Sequence, residues 1–276
     1  MANCIYCGKP VGLLRKHHKD CEEKFNEGWK KITKLAGLSA IKGTDYKTLI
    51  KEISEIASNS FIDEKKIESA IILGYEVAVE KFLEDGILSE EEEERLGDYQ
   101  EYFNLTQDML DKRGAYNKVV KASILREIFE GSIPERMKVS GQLPFNFQKS
   151  EKLVWFFQDV PYHEQRVRRH FTGGYGGFSI KVAKGLYYRT GAFKGHPVET
   201  TEMVYIDTGT LAITDKHLYF GSPRKNFRIK YDKIVTFTPY EDGIGIQRNA
   251  SNAKPQIFIT GDGWFTYNLV SNLAQL

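Results

Sequence analysis

The chain has three cysteines, and all of them fall within its first 21 residues, at Cys4, Cys7 and Cys21. Three thiols cannot all pair as disulfides, and a reducing compartment would keep them free in any case. Metal coordination is the chemistry their spacing suits. Cys4-Ile5-Tyr6-Cys7 followed by Gly8 is a tight knuckle in which backbone N–H groups can turn toward the sulfurs. His17 stands four residues before Cys21 and His18 three, so either histidine shares a helix face with that cysteine. Cys4, Cys7, Cys21 and one of the two histidines form a Cys₃His set, the closed tetrahedral environment of structural zinc (Zn²⁺). With all four ligands from protein, no position stays open for water, so the expected role is folding rather than catalysis. A unit this small has little core and depends on its ion. Lys9, Arg15, Lys16 and Lys19 surround the motif. They read either as solvated cations or, with Tyr6 and Trp29 for stacking, as a nucleic-acid contact.

Two further basic groups could hold an anion. Arg224, Lys225 and Arg228 cluster at one predicted strand turn, and Arg166, Arg168 and Arg169 at another segment. A guanidinium can bind phosphate through two parallel hydrogen bonds. Enzyme signatures do not appear beside them. Gly173–Gly177 fits neither G-x-G-x-x-G nor a P-loop, and His163-Glu164 lacks the second histidine of H-E-x-x-H. No serine sits in G-x-S-x-G, and His163, His170, His196 and His217 are scattered. The expectation is a non-enzymatic binding protein. A metal-dependent hydrolase would have to use the acidic run Glu84, Asp85 and Glu90–Glu94, which does not match an EF-hand loop.

The elements that must position these groups follow from composition and pattern. The 276 residues carry a net charge of only +2, but unevenly. Residues 1–40 hold +4, residues 41–131 hold −9 and residues 132–276 hold +7, which supports separate domains. No apolar run approaches the roughly 20 residues of a membrane-spanning helix, and the N-terminus lacks the pattern of a signal peptide. A cytoplasmic protein is expected. Three domains are expected as well: a zinc unit with the first helix at 1–40, an acidic helical domain at 41–131 and a β-rich domain at 143–276, after a linker near Gly131–Leu143.

Helical periodicity runs through the first half. Phe25, Trp29, Ile32 and Leu35 define one apolar face. Thr44 or Asp45 can cap a second helix bearing Leu49, Ile53 and Ile56, and Asp63 a third bearing Ile67, Ile71, Tyr75, Ala78 and Phe82. After Gly86, Ser89 and Glu92 write a capping box for a fourth helix, whose glutamates at 90–94 suit the positive end of its dipole. A fifth is expected over Thr106–Arg113 and a sixth over Tyr116–Glu130. The phrase Phe82-Leu83-Glu84-Asp85-Gly86-Ile87-Leu88-Ser89-Glu90-Glu91 resembles the connection in bacterial tellurite-resistance B-like helical domains. It is also similar to a short bacterial helical module found beside lipid-binding-like domains. The first resemblance implies a stress-related role, sometimes with metal ions.

From Leu153 the period changes to two. Leu153–Phe157 reads as a strand, then a charged segment His163–His170, then alternation at Phe178, Ile180 and Val182. Asp207–Ile246 is a meander of four short strands, broken at Thr214-Asp215-Lys216, Gly221-Ser222-Pro223 and Asp242-Gly243. Ile257–Ile259 supplies a last strand, and Phe265, Leu269 and Leu273 face one side of a terminal helix. Ser150–Leu153, Gly209–Phe220 and Ile229–Ile234 together resemble bacterial pleckstrin-homology-like (PH-like) and GRAM-like domains. That resemblance implies a barrel closed by a helix, lengthened by Gly173–Gly195, that binds lipid head groups, peptides or proteins. The whole reads as α+β: a zinc knuckle and helical bundle, then a PH-like antiparallel barrel with a C-terminal helix. The expected partner is a protein or an anionic ligand bound at the basic turns. The alternative is a nucleic-acid-associated stress or phage-defence protein acting through the N-terminus.

Overall fold

The computed structural model describes residues 2–12, 15–137, 144–171, 179–183, 186–189 and 197–276, with backbone alone between 168 and 200. The chain divides into two compact units, Met1–Arg126 and Glu127–Leu276.

The first unit is helical behind a short N-terminal knuckle. Helix α1 spans Lys19–Lys42, α2 Tyr46–Asn59, α3 Glu64–Phe82, α4 Glu90–Tyr102, α5 Gln107–Leu110 and α6 Ala115–Phe129. Their starts follow the side chains that satisfy otherwise orphaned N–H groups. Asp45 accepts from the amides of Lys47 and Thr48, and Asp63 from Lys66. Ser89 and Glu92 complete the capping box at α4. Helix α1 is longer at both ends than its periodicity suggests: it starts directly after His18, whose side chain makes no capping hydrogen bond, and Gly43, at φ 64°, ends it in the left-handed conformation. The fifth helix is shorter than expected: a turn of 3₁₀ over Asp111–Arg113 follows α5. Two apolar clusters fill the unit, one around Ile32, Leu49, Ile53 and Ala70, the other around Tyr75, Phe82, Leu88, Leu96 and Tyr99. Helices α1 and α3 cross at Gly74, where a Cβ would lie 2.7 Å from that of Ala36. Any larger residue there would force the helices apart.

The second unit is an antiparallel half-barrel. Strands β1 (Leu153–Phe171), β4 (Pro197–Thr214), β5 (His217–Gly221), β6 (Asn226–Lys230), β7 (Ile234–Pro239), β8 (Gly243–Arg248) and β9 (Gln256–Ile259) form one curled sheet in the order β6-β5-β4-β1-β9-β8-β7. A separate hairpin of β2 (Ser179–Ala183) and β3 (Leu186–Arg189) is inserted between β1 and β4. Inside, Tyr162, Phe220, Phe227 and Phe258 stack with centroids 4.8–6.3 Å apart. Helix α7 (Gly263–Leu273) packs against the sheet, setting Phe265 on Trp155 at 5.1 Å.

Two expectations are adjusted. The charged segment His163–His170 is no separate element but continues β1, paired residue for residue with β4. Tyr231, placed in a strand by its alternation, opens a 3₁₀ turn over Tyr231–Lys233. Its buried hydroxyl donates to the Thr214 carbonyl, which fixes that turn on the β4–β5 corner. Gly173–Gly177, Phe178 and His196 lie outside the described residues, as does the end of the predicted linker, 138–143.

Candidate metal centre and the predicted basic surface

The knuckle is built by backbone hydrogen bonds around Cys4. Its N–H donates to the Lys9 carbonyl at 2.8 Å, its carbonyl accepts from Gly8 at 2.9 Å, and Asn3 pairs with Pro10 across the turn. Gly8 takes φ 71°, a left-handed conformation that favours glycine. The knuckle sits on the start of α1. Tyr6 contacts Phe25 at 5.0 Å and His17 at 5.8 Å, and the Ile5 N–H donates to the Lys16 carbonyl.

This fold brings Cys4, Cys7, His18 and Cys21 together, with one ligand atom from each all within 4.8 Å of one another. Among the described residues it is the one group of three or more His, Cys, Asp and Glu able to hold a metal ion. Zinc–sulfur bonds of about 2.3 Å and zinc–nitrogen bonds of about 2.0 Å give tetrahedral edges of about 3.5–3.8 Å. His18 Nδ1 lies 3.4 Å from Cys7 Sγ and 3.8 Å from Cys21 Sγ, which fits such a set. The structure also separates the two candidate histidines. His18 Nε2 donates to the Pro10 carbonyl at 3.1 Å, and because a carbonyl can only accept, Nδ1 is left as the lone pair facing the sulfurs. His17 turns away and pairs with Glu22 at 2.9 Å.

Electrostatics suit a cation. Burial acts to raise the Cys4 thiol, but N–H groups of Cys7, His18 and Tyr6 outweigh it and hold it at about 6. The His18 N–H reaches Cys4 Sγ at 3.4 Å. Cys21, in the first turn of α1, is pushed up to about 11 by burial and by the neighbouring Cys7 and Cys4 sulfurs. Three thiolates so close repel one another, and an ion among them removes that repulsion.

The acidic run does not gather into a second centre. Glu92 is used by the cap, Glu93 pairs with Arg126 at 2.6 Å, Glu84 with Lys81 at 2.5 Å and Glu91 with Arg95 at 3.8 Å. Asp85 accepts from the Ile87 N–H across the turn.

The predicted basic turn is split in use. Arg224 and Lys225 lie in the β5–β6 turn, and Arg228 lies on β6 beside Tyr219 of β5. The exposed Arg224 donates its N–H to Asp207, and Lys225 pairs with Glu164 at 2.9 Å. Arg228 reaches the Gln148 side-chain oxygen at 3.1 and 3.2 Å once that amide is oriented to accept. Arg166 is exposed on β1 opposite Glu202 of β4. The side chains of Arg168 and Arg169 lie outside the described residues.

Two polar groupings escape a reading of local spacing. At the β5–β6 end of the half-barrel, Glu164 accepts from Tyr162 at 2.6 Å and from Lys225. Burial opposes its ionisation, but these hydrogen bonds and the charge of Lys254 hold its carboxyl below the usual range. Gln256 donates to Tyr162, while Gln256 Oε1 and Arg248 Nε are buried with no partner among the described residues. At the β4–β5 corner, the fully buried Glu151 side chain accepts from His217 at 2.6 Å, Thr214 at 2.9 Å, Tyr219 at 2.6 Å and the Gln148 N–H at 2.6 Å. Its only sequence signal was the Ser150–Leu153 phrase, which pointed to a fold rather than to a role.

No protein-family model matches the chain, and neither does any curated protein. The chain is α+β, with a Cys₃His group able to hold a metal such as zinc, a helical unit and an antiparallel half-barrel packed against a C-terminal helix. No helix of the described residues is long and apolar enough to cross a membrane.

Proposed function

We propose that the chain is a non-enzymatic recognition protein. A structural zinc ion held by Cys4, Cys7, His18 and Cys21 rigidifies its N-terminus, and a PH-like half-barrel provides the binding surface. The observation that carries this reading is the strand order, β6-β5-β4-β1-β9-β8-β7 with α7 against the sheet, which is the order of a PH-like barrel with an insertion after its first strand. The β5–β6 turn and the β8–β9 loop then converge on Glu164, bringing Arg224, Lys225 and Lys254 to one end. Beneath it, Gln256 Oε1 and Arg248 Nε, without a partner among the described residues, offer an acceptor and a donor respectively to an incoming group. Zinc, when bound, supplies cross-linking alone. The residues of the chain do the rest: His18 is oriented by Pro10, and the knuckle is seated on α1 by Tyr6.

The test is the triple variant Arg224→Ala, Lys225→Ala, Arg228→Ala, compared with the natural protein in a pulldown and in a flotation assay with anionic vesicles. At least tenfold weaker capture of a protein partner or of vesicles is expected. Unchanged binding in both assays would remove this surface from the reading.

A further inference from the structure

Arg248 and Gln256 stand at the two ends of the β8–β9 loop, as the last residue of β8 and the first of β9. Pairing sets Gln256 opposite Glu164 of β1 on one side and Ile246 of β8 on the other. Side chains alternate along a strand, so Arg248, two residues past Ile246, shares their face, and so does Tyr162, two residues before Glu164. That face carries the stacked rings of Tyr162 and Phe258. Tyr162, Glu164, Arg248 and Gln256 therefore gather where the aromatic interior of the half-barrel ends.

Hydrogen bonds in this group run in one direction. Lys225 and the Tyr162 hydroxyl both donate to Glu164 Oε1, and the Glu164 carboxyl, held below its usual range, is ionised at neutral pH. Tyr162 has one proton and gives it to Glu164, so its oxygen accepts from Gln256 Nε2. This fixes the amide of Gln256. Its Oε1 is turned from Tyr162 and has no donor among the described residues, although Gln256 is only 3% exposed. Arg248 Nε is likewise buried with no acceptor among them. The acids at this end are engaged elsewhere: Glu164 with Lys225 and Tyr162, Asp207 with the Arg224 N–H and the Ser222 hydroxyl. A water could bridge the two unfilled atoms, but it would leave the guanidinium charge unpaired.

We propose that this end of the half-barrel binds the free C-terminus of a peptide chain, its carboxylate on Arg248 and its last backbone N–H on Gln256 Oε1. The inference rests on the reading of the half-barrel as a recognition surface and names the group that surface takes. A chain terminus carries a carboxylate and, on the neighbouring carbon, an N–H donor, the complement of a guanidinium together with an unfilled amide oxygen. A phosphodiester presents acceptors alone and would set an oxygen against Gln256 Oε1, so a protein is the partner these atoms specify. The surrounding charge agrees with an anionic group: Arg224, Lys225, Arg248 and Lys254 outnumber Glu164 and Asp207. Asn249–Asn252 of the loop are exposed and Arg248 is half-buried, so a chain end can approach over the loop.

Isotope-labelled full-length protein is titrated with N-acetyl-glycyl-alanine as the free acid, with the C-terminal amide of the same dipeptide, and with dimethyl phosphate, and followed by nuclear magnetic resonance. The free acid should shift the Arg248 Nε–H and Gln256 side-chain signals saturably, and the other two probes should bind roughly tenfold more weakly or worse. Arg248→Gln should lose roughly tenfold or more in affinity for the acid. Arg248→Lys, which keeps the charge and lacks Nε, should fall between, and unmoved Tyr162 and Phe258 ring signals in either variant show an intact half-barrel. Equal binding of acid and amide, acid binding indifferent to Arg248→Gln, tighter binding of dimethyl phosphate, or no shift at all, as for a bridging water alone, would each overturn the proposal. The broader reading fails separately. Partner capture lost in the Arg224, Lys225 and Arg228 variant, with no response of the natural protein to the acid, would sink this site and leave the surface standing. Capture unchanged in that variant, with acid binding that needs Arg248, would remove the outer turn and keep this site.

Discussion

The knuckle and the half-barrel solve the same problem in opposite ways. Each must fasten an irregular N-terminal segment to the regular structure that follows. In the knuckle the fastening is four side chains with ligand atoms within 4.8 Å of one another, set into a piece too small to enclose them in apolar core. In the half-barrel it is one buried carboxylate, Glu151, that ties the lead-in segment to the β4–β5 corner, with Phe145 and Phe147 packed on Tyr219 at 5.7 and 5.1 Å. On the proposed reading the first takes an ion from outside, whereas the second is complete within the chain. A segment with a core behind it can use hydrogen bonds, and one without it needs a metal.

The largest effect should come from breaking the first fastening. The purified protein should contain about one zinc per chain, the stoichiometry of a closed four-ligand site. Cys4→Ser with Cys7→Ser should abolish it and expose the knuckle to protease, while the half-barrel keeps its near-ultraviolet tyrosine and tryptophan signal. His18→Ala should behave in the same direction, and His17→Ala should retain the metal, because His17 is engaged with Glu22. A metal-free protein with an intact knuckle would contradict the contrast drawn between the two regions.

These two fastenings also show why one was legible in the sequence and the other was not. Cys4, Cys7, His18 and Cys21 lie within 18 residues of chain, so their spacing alone carries the geometry. Spacing could not choose between His17 and His18, since that depends on the Pro10 carbonyl accepting from one ring and Glu22 from the other. The partners of Glu151 lie 63, 66 and 68 residues away, and nothing local marks them. The same division holds elsewhere. Caps at Asp45, Asp63 and Ser89 were readable because they are local, as were the turns at Thr214–Lys216 and Asp242–Gly243. The continuation of β1 through His163–His170 was not, because a charged segment with Val167 as its only apolar residue has no apolar alternation to mark a strand until a second strand is known to lie alongside.

The second fastening should yield to acid as well as to mutation. Burial opposes ionisation of Glu151, and hydrogen bonds from Tyr219, His217, Gln148 and Thr214 outweigh it, so the carboxyl sits below its ordinary value of 4.5. A folded value below the unfolded one gives stability that is fully present above pH 4.5 and lost as pH falls through the depressed folded value. Glu151→Ala, which leaves His217 and Tyr219 buried without their acceptor, should cost about 3–5 kcal/mol at pH 7 in denaturant unfolding. Glu151→Gln should cost less and should flatten the acid limb of the stability profile. An unchanged acid limb in that variant would place the acid sensitivity elsewhere.

The smallest effect tests whether a purely local fastening is worth as little as its locality suggests. Ser89 accepts from the Glu92 N–H at 3.3 Å, and the Glu92 carboxylate accepts from the Ser89 N–H at 3.0 Å, closing the capping box at α4. Ser89→Ala removes one acceptor from a solvated helix end, where water replaces it in part, so the cost should be about 1 kcal/mol, read from the unfolding of the helical unit. The two halves of the box satisfy each other and also share the Ser89 hydroxyl contact with Glu92 at 3.0 Å. Glu92→Ala combined with Ser89→Ala should therefore cost less than the two single changes added together. Strict additivity would mean that the serine and the glutamate cap α4 independently. The box would then be two separate hydrogen bonds that happen to adjoin, and the contrast with the mutually dependent ligands of the knuckle would sharpen further.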